Sequence, residues 1–111
     1  MRIETTTGAG RASTEIAALK DKAAEATRLL KLLANEKRLL ILCQLVACRE
    51  MSVGELGTAV KLSQSALSQH LALMREEDLV DTRRQAQTVF YRVSDPNARR
   101  VLKLLKDIYC P

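Results

Sequence analysis

The stretch that decides the fold is residues 62–93, LSQSALSQHLALMREEDLVDTRRQAQTVFYRV, read together with residues 51–61, MSVGELGTAVK. Ser63 is a good N-cap for a helix whose apolar residues Leu67, Leu71 and Met74 recur at helical spacing. Ahead of it, Ser52 and Glu55 stand in capping-box spacing and open a short helix that turns Val53, Leu56 and Val60 inward and ends by Lys61. A short helix, a connector of about three residues and a second helix make a helix-turn-helix. From Leu79 the period changes. LVDTRR and TVFYRV are rich in Val, Thr, Phe and Tyr, and the QAQ between them is short enough for a hairpin turn. That turn has no Gly, Asn or Asp, which leaves its type open.

Working outward, Asn35 caps a helix with Glu36 in its first turn and Leu39, Leu42, Cys43 and Val46 on the expected buried face. Asp95 caps a last helix with Pro96 at its first position and Val101, Leu104, Leu105 and Ile108 at helical spacing. From Thr14, the positions Ile16, Leu19, Ala23, Ala26, Leu30 and Leu33 alternate by three and four, which draws one narrow seam along a long helix. Such a seam calls for another helix. A dimer interface and intramolecular packing both satisfy it. Residues 1–13 mix Thr, Gly and Ser with almost nothing to bury. The expected organisation is a disordered N-terminal arm over 1–13 and one winged helix-turn-helix domain over 14–111, mainly α with a small β-hairpin.

Composition narrows the function. The chain has 111 residues, 47% hydrophobic and 28% charged, which is ordinary for a globular domain and excludes collagen and wholesale disorder. LLILCQLVAC, the most apolar run, is cut by Gln44 and closed by Arg49, so no membrane span is read. No charged-then-apolar leader opens the sequence, and a cytoplasmic location is expected. A net charge of +5 favours a polyanionic partner. The lone His70 is remote in sequence from every Cys, and no carboxylate pair or glycine-rich phosphate loop stands out, so no catalytic residue, metal or other cofactor is assigned.

The face of the Ser63-capped helix that points away from Leu67, Leu71 and Met74 is small and polar, and no Asp or Glu occurs from Ser63 to Met74. Ser63, Gln64, Ser65, Ser68 and Gln69 are therefore candidate DNA contacts, because Ser and Gln side chains donate and accept at base edges in a major groove. His70 flanks the buried stripe and reads first as a packed side chain, second as a base or phosphate contact. On the hairpin, Arg83, Arg84 and Arg92 have no acid between them, and with Gln87 they are candidates for phosphate or minor-groove contact. Lys37 and Arg38, in the first turn of their helix, are poorly placed for its dipole and are candidate phosphate contacts.

Three cysteines, an odd number, point to reduced thiols rather than a disulfide framework. Among Leu39, Leu42 and Val46, Cys43 reads as a small hydrophobe. Cys110 is the penultimate residue. Cys48 lies about 140° round the helix from Cys43 and cannot share its face. A Cys43–Cys110 bridge would link the second helix to the last, provided that the thiols approach closely enough.

The run LSQSALSQHLALMREEDLV followed by DTRRQAQTVFYRV resembles the helix-turn-helix and wing of the ArsR family of small dimeric repressors. With LLANEKRLLILCQL and SVGEL before it and YCP at the end, the chain is similar over residues 24–111 to the family's thiol-switch, persulfide-sensing branch. The resemblance implies a homodimer on a (pseudo)palindromic double-stranded DNA operator. It also implies that reactive sulfur species or other oxidants convert Cys43 and Cys110 to a disulfide or polysulfide bridge that releases the DNA. Exposed Cys110 is the expected attacking thiol and Cys43 the resolving one. The first and last helices are implied to form the dimer interface, through Ile16, Leu19, Ala23, Ala26, Leu30, Val101, Leu105 and Ile108. Metal-sensing relatives carry a Cys-x-Cys run where this chain has Ser52, Val53, Gly54 and Glu55, and the last helix has no His, so no family-type metal site is implied. Ala86 departs from the glycine often found in the wing turn, and Cys48 is not required by the switch. The alternative reading is a metal-, metalloid- or haem-responsive repressor of the same fold, suggested by the three thiols and the Cys110–Pro111 dipeptide.

Overall fold

The chain's structure, a computed structural model, describes residues 9–110. Its elements are α1 (Ala9–Leu33), α2 (Glu36–Cys48), β1 (Met51–Ser52), α3 (Val53–Val60), α4 (Gln64–Glu76), β2 (Val80–Gln85), β3 (Thr88–Val93) and α5 (Pro96–Tyr109). Four of the helices start on the caps read from sequence. The Asn35 side chain accepts from the Arg38 amide at 3.0 Å, and the Ser63 hydroxyl accepts from the Ala66 amide at 3.2 Å. Asp95 accepts from the Asn97 amide at 2.8 Å. Ser52 and Glu55 complete a reciprocal capping box, at 3.2 and 2.9 Å. α4 ends in a Schellman motif. The Leu79 amide donates to the Met74 carbonyl at 2.8 Å, and Asp78 sits in the left-handed region at φ 58°.

The chain divides into two units, residues 1–31 and 32–111. The first holds α1 up to Lys31, on which Leu19 and Leu30 are exposed by 63% and 57%. The helix begins at Ala9, five residues before the start expected at residue 14. Residues 1–8 of the expected arm lie outside the described residues.

The second unit is a winged helix-turn-helix. α3 and α4 form the helix-turn-helix, joined through Lys61 at φ 55°. β2 and β3 form the wing, and β1 adds a two-residue strand that gives an antiparallel sheet of order β1-β3-β2. The core is Ile41, Leu42 and Leu45 of α2, Leu56 of α3, Leu67, Leu71 and Met74 of α4, Leu79 just before β2, Val80 of β2, Val93 of β3, and Leu102 of α5. Burying each such aliphatic side chain contributes about 1.5–3 kcal/mol before the entropy of ordering it. Two expected faces are rotated. On α2 the buried line is Ile41, Leu42 and Leu45, which leaves Leu39, Cys43 and Val46 half-buried at its edge. On α5 it is Ala98 and Leu102, with Val101 and Leu105 half-buried and Leu104 and Ile108 exposed.

The wing turn is Ala86–Gln87, with Ala86 at φ 56° and Gln87 not in the left-handed region. Positive φ at Ala86 and not at Gln87 excludes a type I′ hairpin turn, which needs it at both central residues.

Candidate nucleic-acid interface and thiol pair

α4 carries Gln64, Ser65, Ser68 and Gln69 on its exposed face, opposite the buried Leu67, Leu71 and Met74. The absence of acidic side chains from Gln64 to Met74 leaves nothing on this stretch to repel phosphate. Ser63 is exposed, and its hydroxyl is engaged in capping the helix. His70 is half-buried beside the core stripe. Its pKa is lowered, first by desolvation and second by the nearby positive charge of Arg38, so the ring is held neutral at pH 7. This brings His70 of α4 and Arg38 of α2 into one neighbourhood. The Arg38 Nε donates to the Leu32 carbonyl at 2.8 Å, tying the first turn of α2 to the end of α1, whereas Lys37 is exposed.

The wing separates its three arginines. In the register of β2 with β3, Asp81 faces Arg92, Arg83 faces Phe90 and Gln85 faces Thr88, while Val80 faces Val93, Thr82 faces Tyr91 and Arg84 faces Val89. Successive pairs lie on opposite faces of the sheet, so Arg83 and Arg92 share one face and Arg84 lies on the other. Arg83 grips Glu50 with two bonds, Nε to Oε2 at 3.1 Å and Nη2 to Oε1 at 2.5 Å. It also donates to the Gln85 side chain and lies over the Phe90 ring, 4.9 Å from its centre. The hydrogen bond from Arg83 is the largest cause of the lowered pKa of Glu50. Arg92 is paired with Asp81 at 2.6 Å. Arg84 is exposed and forms no ion pair among the described residues. Its face carries Tyr91, which lines a depression of about 370 Å³ with Ser68, Ala72, Arg75 and Glu76 of α4. Arg84 is thus the wing cation on the α4 side. Gln87 is exposed in the turn. Sequence reading missed Tyr91 and the Glu50 clamp, whose partner stands 33 residues away in the chain.

The cysteines are all free thiols. Cys43 is half-buried on α2, Cys110 is exposed as the C-cap of α5, and Cys48 is exposed at the end of α2. Burial pushes the Cys43 thiol up from its ordinary value, and the charge of Cys110 adds to the shift. The helices that carry the two thiols pack against each other, and Cys110 lies within electrostatic reach of Cys43. Among the described residues no group of three or more His, Cys, Asp or Glu side chains could hold a metal ion. No described helix is long and apolar enough to cross a membrane. The candidate interface residues are displayed unit by unit: Ile16, Leu19, Ala23, Ala26 and Leu30 are exposed on α1, and Ile108 is exposed on α5 beside half-buried Val101 and Leu105. Exposed Leu104 extends that α5 row.

A polar-faced helix following a short one, with a basic hairpin beside it, defines the class of winged-helix DNA-binding regulators. Residues 35–82 match the model of the family described as bacterial regulatory protein, arsR family. The transcriptional activator HlyU of Vibrio cholerae serotype O1 is 51% identical over 92 residues, 83% of this chain and 84% of that protein. The structure of reduced HlyU from Vibrio cholerae N16961 superposes with a TM-score of 0.80 at 50% identity, covering 85% of this chain and 98% of that one. The transcriptional repressor BigR from Xylella fastidiosa gives 0.79 at 37% identity, covering 86% and 96%. The chain belongs to the arsR family of bacterial regulatory proteins, and it is a helix-turn-helix transcriptional regulator of the branch to which HlyU and BigR belong.

Proposed function

We propose that the chain is a cytoplasmic homodimeric repressor that holds a (pseudo)palindromic operator through α4 and Arg84 and releases it when Cys43 and Cys110 are bridged. The observation that carries the switch is the neighbourhood of a half-buried thiol on α2 and an exposed thiol on α5, near enough for one charge to act on the other. Cys110 is the exposed member and reacts first. Its thiolate takes the outer sulfur of an organic persulfide, RSSH, and releases RSH. The Cys43 thiolate then attacks the Cys110 Sγ, expels hydrosulfide and forms the disulfide, so the persulfide is reduced as the two thiols are oxidised. A second persulfide adds sulfur to the bridge. The raised pKa of Cys43 keeps it protonated at rest, which suits a resolving thiol and not the first nucleophile.

The bridge ties the C-terminal end of α5 to α2, and α2 in turn packs against α3. Allosteric couplings of this kind amount to about 1–3 kcal/mol, or about 5- to 150-fold in affinity. The dimer is supported by the exposed apolar rows of α1 and of α5, each a surface that helix packing would cover. The test is to treat the protein with an organic persulfide, map the linkages by peptide mass spectrometry, and follow release of a fragment from its own upstream region. Release should accompany a Cys43–Cys110 linkage and should be lost in Cys110→Ala. A linkage that leaves DNA bound, or release from Cys110→Ala at the wild-type rate, would overturn the reading.

A further inference from the structure

A basic cavity lies away from both the α4 face and the apolar row of α5. It measures about 390 Å³ and is lined by Leu45 and Val46 of α2, Arg49 just beyond it, Arg92 and Val93 at the end of β3, and Arg99 with Lys103 on α5. Four of these side chains are cations and none is acidic. Two carboxylates stand near Arg92: Asp81, bonded to it, and Glu50, which is held by Arg83 and so is already balanced. With Asp81 set against Arg92 and Glu50 against Arg83, the three positive charges of Arg49, Arg99 and Lys103 remain around the site. The Arg92 guanidinium is held by Asp81, and the Arg99 guanidinium donates to the Val93 carbonyl. Arg49 and Lys103 form no ion pair among the described residues. Gathering four cations at one concave site costs repulsion in the empty state, and a bound anion relieves it.

Two occupants that would account for such charge otherwise do not fit the position. No residue of α3 or α4 lines the cavity, and Arg92 projects from the sheet face opposite Tyr91, the residue that meets α4. The helix that carries the candidate base contacts thus contributes nothing to the cavity wall. On α5, Arg99 and Lys103 sit roughly 100° to one side of the buried Ala98–Leu102 line, and exposed Leu104 and Ile108 sit roughly 100° to the other. A helix packed on Leu104 and Ile108 leaves Arg99 and Lys103 uncovered. The volume falls in the range of small-molecule sites, about 300–1,000 Å³. Buried Leu45 and Val93, with half-buried Val46, give it an apolar wall.

We infer that the cavity bounded by Arg49, Arg92, Arg99 and Lys103 binds a small organic dianion, its charged oxygens on the guanidinium groups and its apolar body against Leu45, Val46 and Val93. Bidentate guanidinium contacts accept either a phosphate monoester or a dicarboxylate. The inference does not depend on the thiol switch, because none of these residues is a cysteine or a proposed DNA contact apart from Arg92, whose charge is already paired with Asp81.

The test is titration calorimetry on the full reduced chain, with chloride as the only other anion. Phenyl phosphate serves as the probe in one arm and isophthalate in the other. At least one probe should bind with a Kd below about 1 mM, and the tighter arm identifies the headgroup; equal affinities identify a site for dianions of both kinds. The Arg49→Gly/Lys103→Gln double variant should weaken binding about tenfold or more. Arg49 lies at φ 70°, where glycine is comfortable, so the fold should persist, and DNA affinity without probe should match wild type. If the double variant melts early, Lys103→Gln alone, an exposed helical position, should still weaken binding about threefold. Failure of both probes to bind with a Kd below about 1 mM would overturn the inference. So would binding unchanged in the variants, or binding abolished by Arg84→Ala, which would locate the anion on the DNA face.

Discussion

Replacing Arg84 by alanine separates the two faces of the wing. Arg83 is held by Glu50 and Phe90, and Arg92 by Asp81, whereas Arg84 stands on the α4 side with no ion pair among the described residues. In a dimer on a two-fold operator, Arg84→Ala removes two phosphate contacts. The plot of log K against log salt should flatten by about 1.8, and at 0.1 M salt affinity should fall by roughly 60-fold if each contact is purely electrostatic. Fluorescence anisotropy on an operator duplex, titrated at salt concentrations from about 50 to about 200 mM, measures both quantities. Arg83→Ala is the matched control. It removes a charge of the same sign one residue away and should leave the slope nearly unchanged. An unchanged slope in Arg84→Ala, or equal flattening by the two variants, would refute the assignment of faces.

Three further outcomes follow from local features. Ala86 pays a left-handed penalty of about 1–2 kcal/mol, partly offset in Ala86→Gly by the greater freedom of unfolded glycine, so that variant should gain about 0.5–1 kcal/mol and melt a few degrees higher; a lower melting temperature would contradict the turn geometry. The pKa of His70 is depressed in the fold, so its contribution to stability is present above its ordinary value of 6.5 and is lost as pH falls through the lower folded value. His70→Gln should therefore lose less melting temperature than wild type between about pH 7 and about pH 5. With Cys48 replaced by serine, Cys43 in a Cys110→Ala background should alkylate more slowly at neutral pH than Cys110 in a Cys43→Ala background, because burial disfavours its thiolate. A faster Cys43 would reverse the order of attack.

What the sequence made legible was local. Asn35, Ser52 with Glu55, Ser63 and Asp95 act on amides two or three residues away, so their capping is written in short spacings, and the Leu67, Leu71, Met74 stripe follows from helical period alone. The wing strands were visible because β-branched and aromatic residues cluster there. What stayed hidden depends on pairing between distant residues. β1 has two residues, and nothing local in Met51–Ser52 tells that they pair with Tyr91 and Phe90. Arg83 and Arg84 are adjacent and chemically identical, and only the register across to Phe90 and Val89 puts them on opposite faces. The rotation of α2 that leaves Cys43 at the edge of the core came from what α2 packs against, which periodicity does not encode. The basic cavity joins residues from three separated segments, and the sequence shows them only as scattered surface charge.

The most direct test of the switch is the operator affinity of one protein in two covalent states. In Cys48→Ser, which cannot mispair, the reduced form and the purified Cys43–Cys110 bridged form are titrated against the same duplex at the same salt. The account predicts binding about 5- to 150-fold weaker in the bridged form, restored by reductant. Equal affinity in the two states would contradict it.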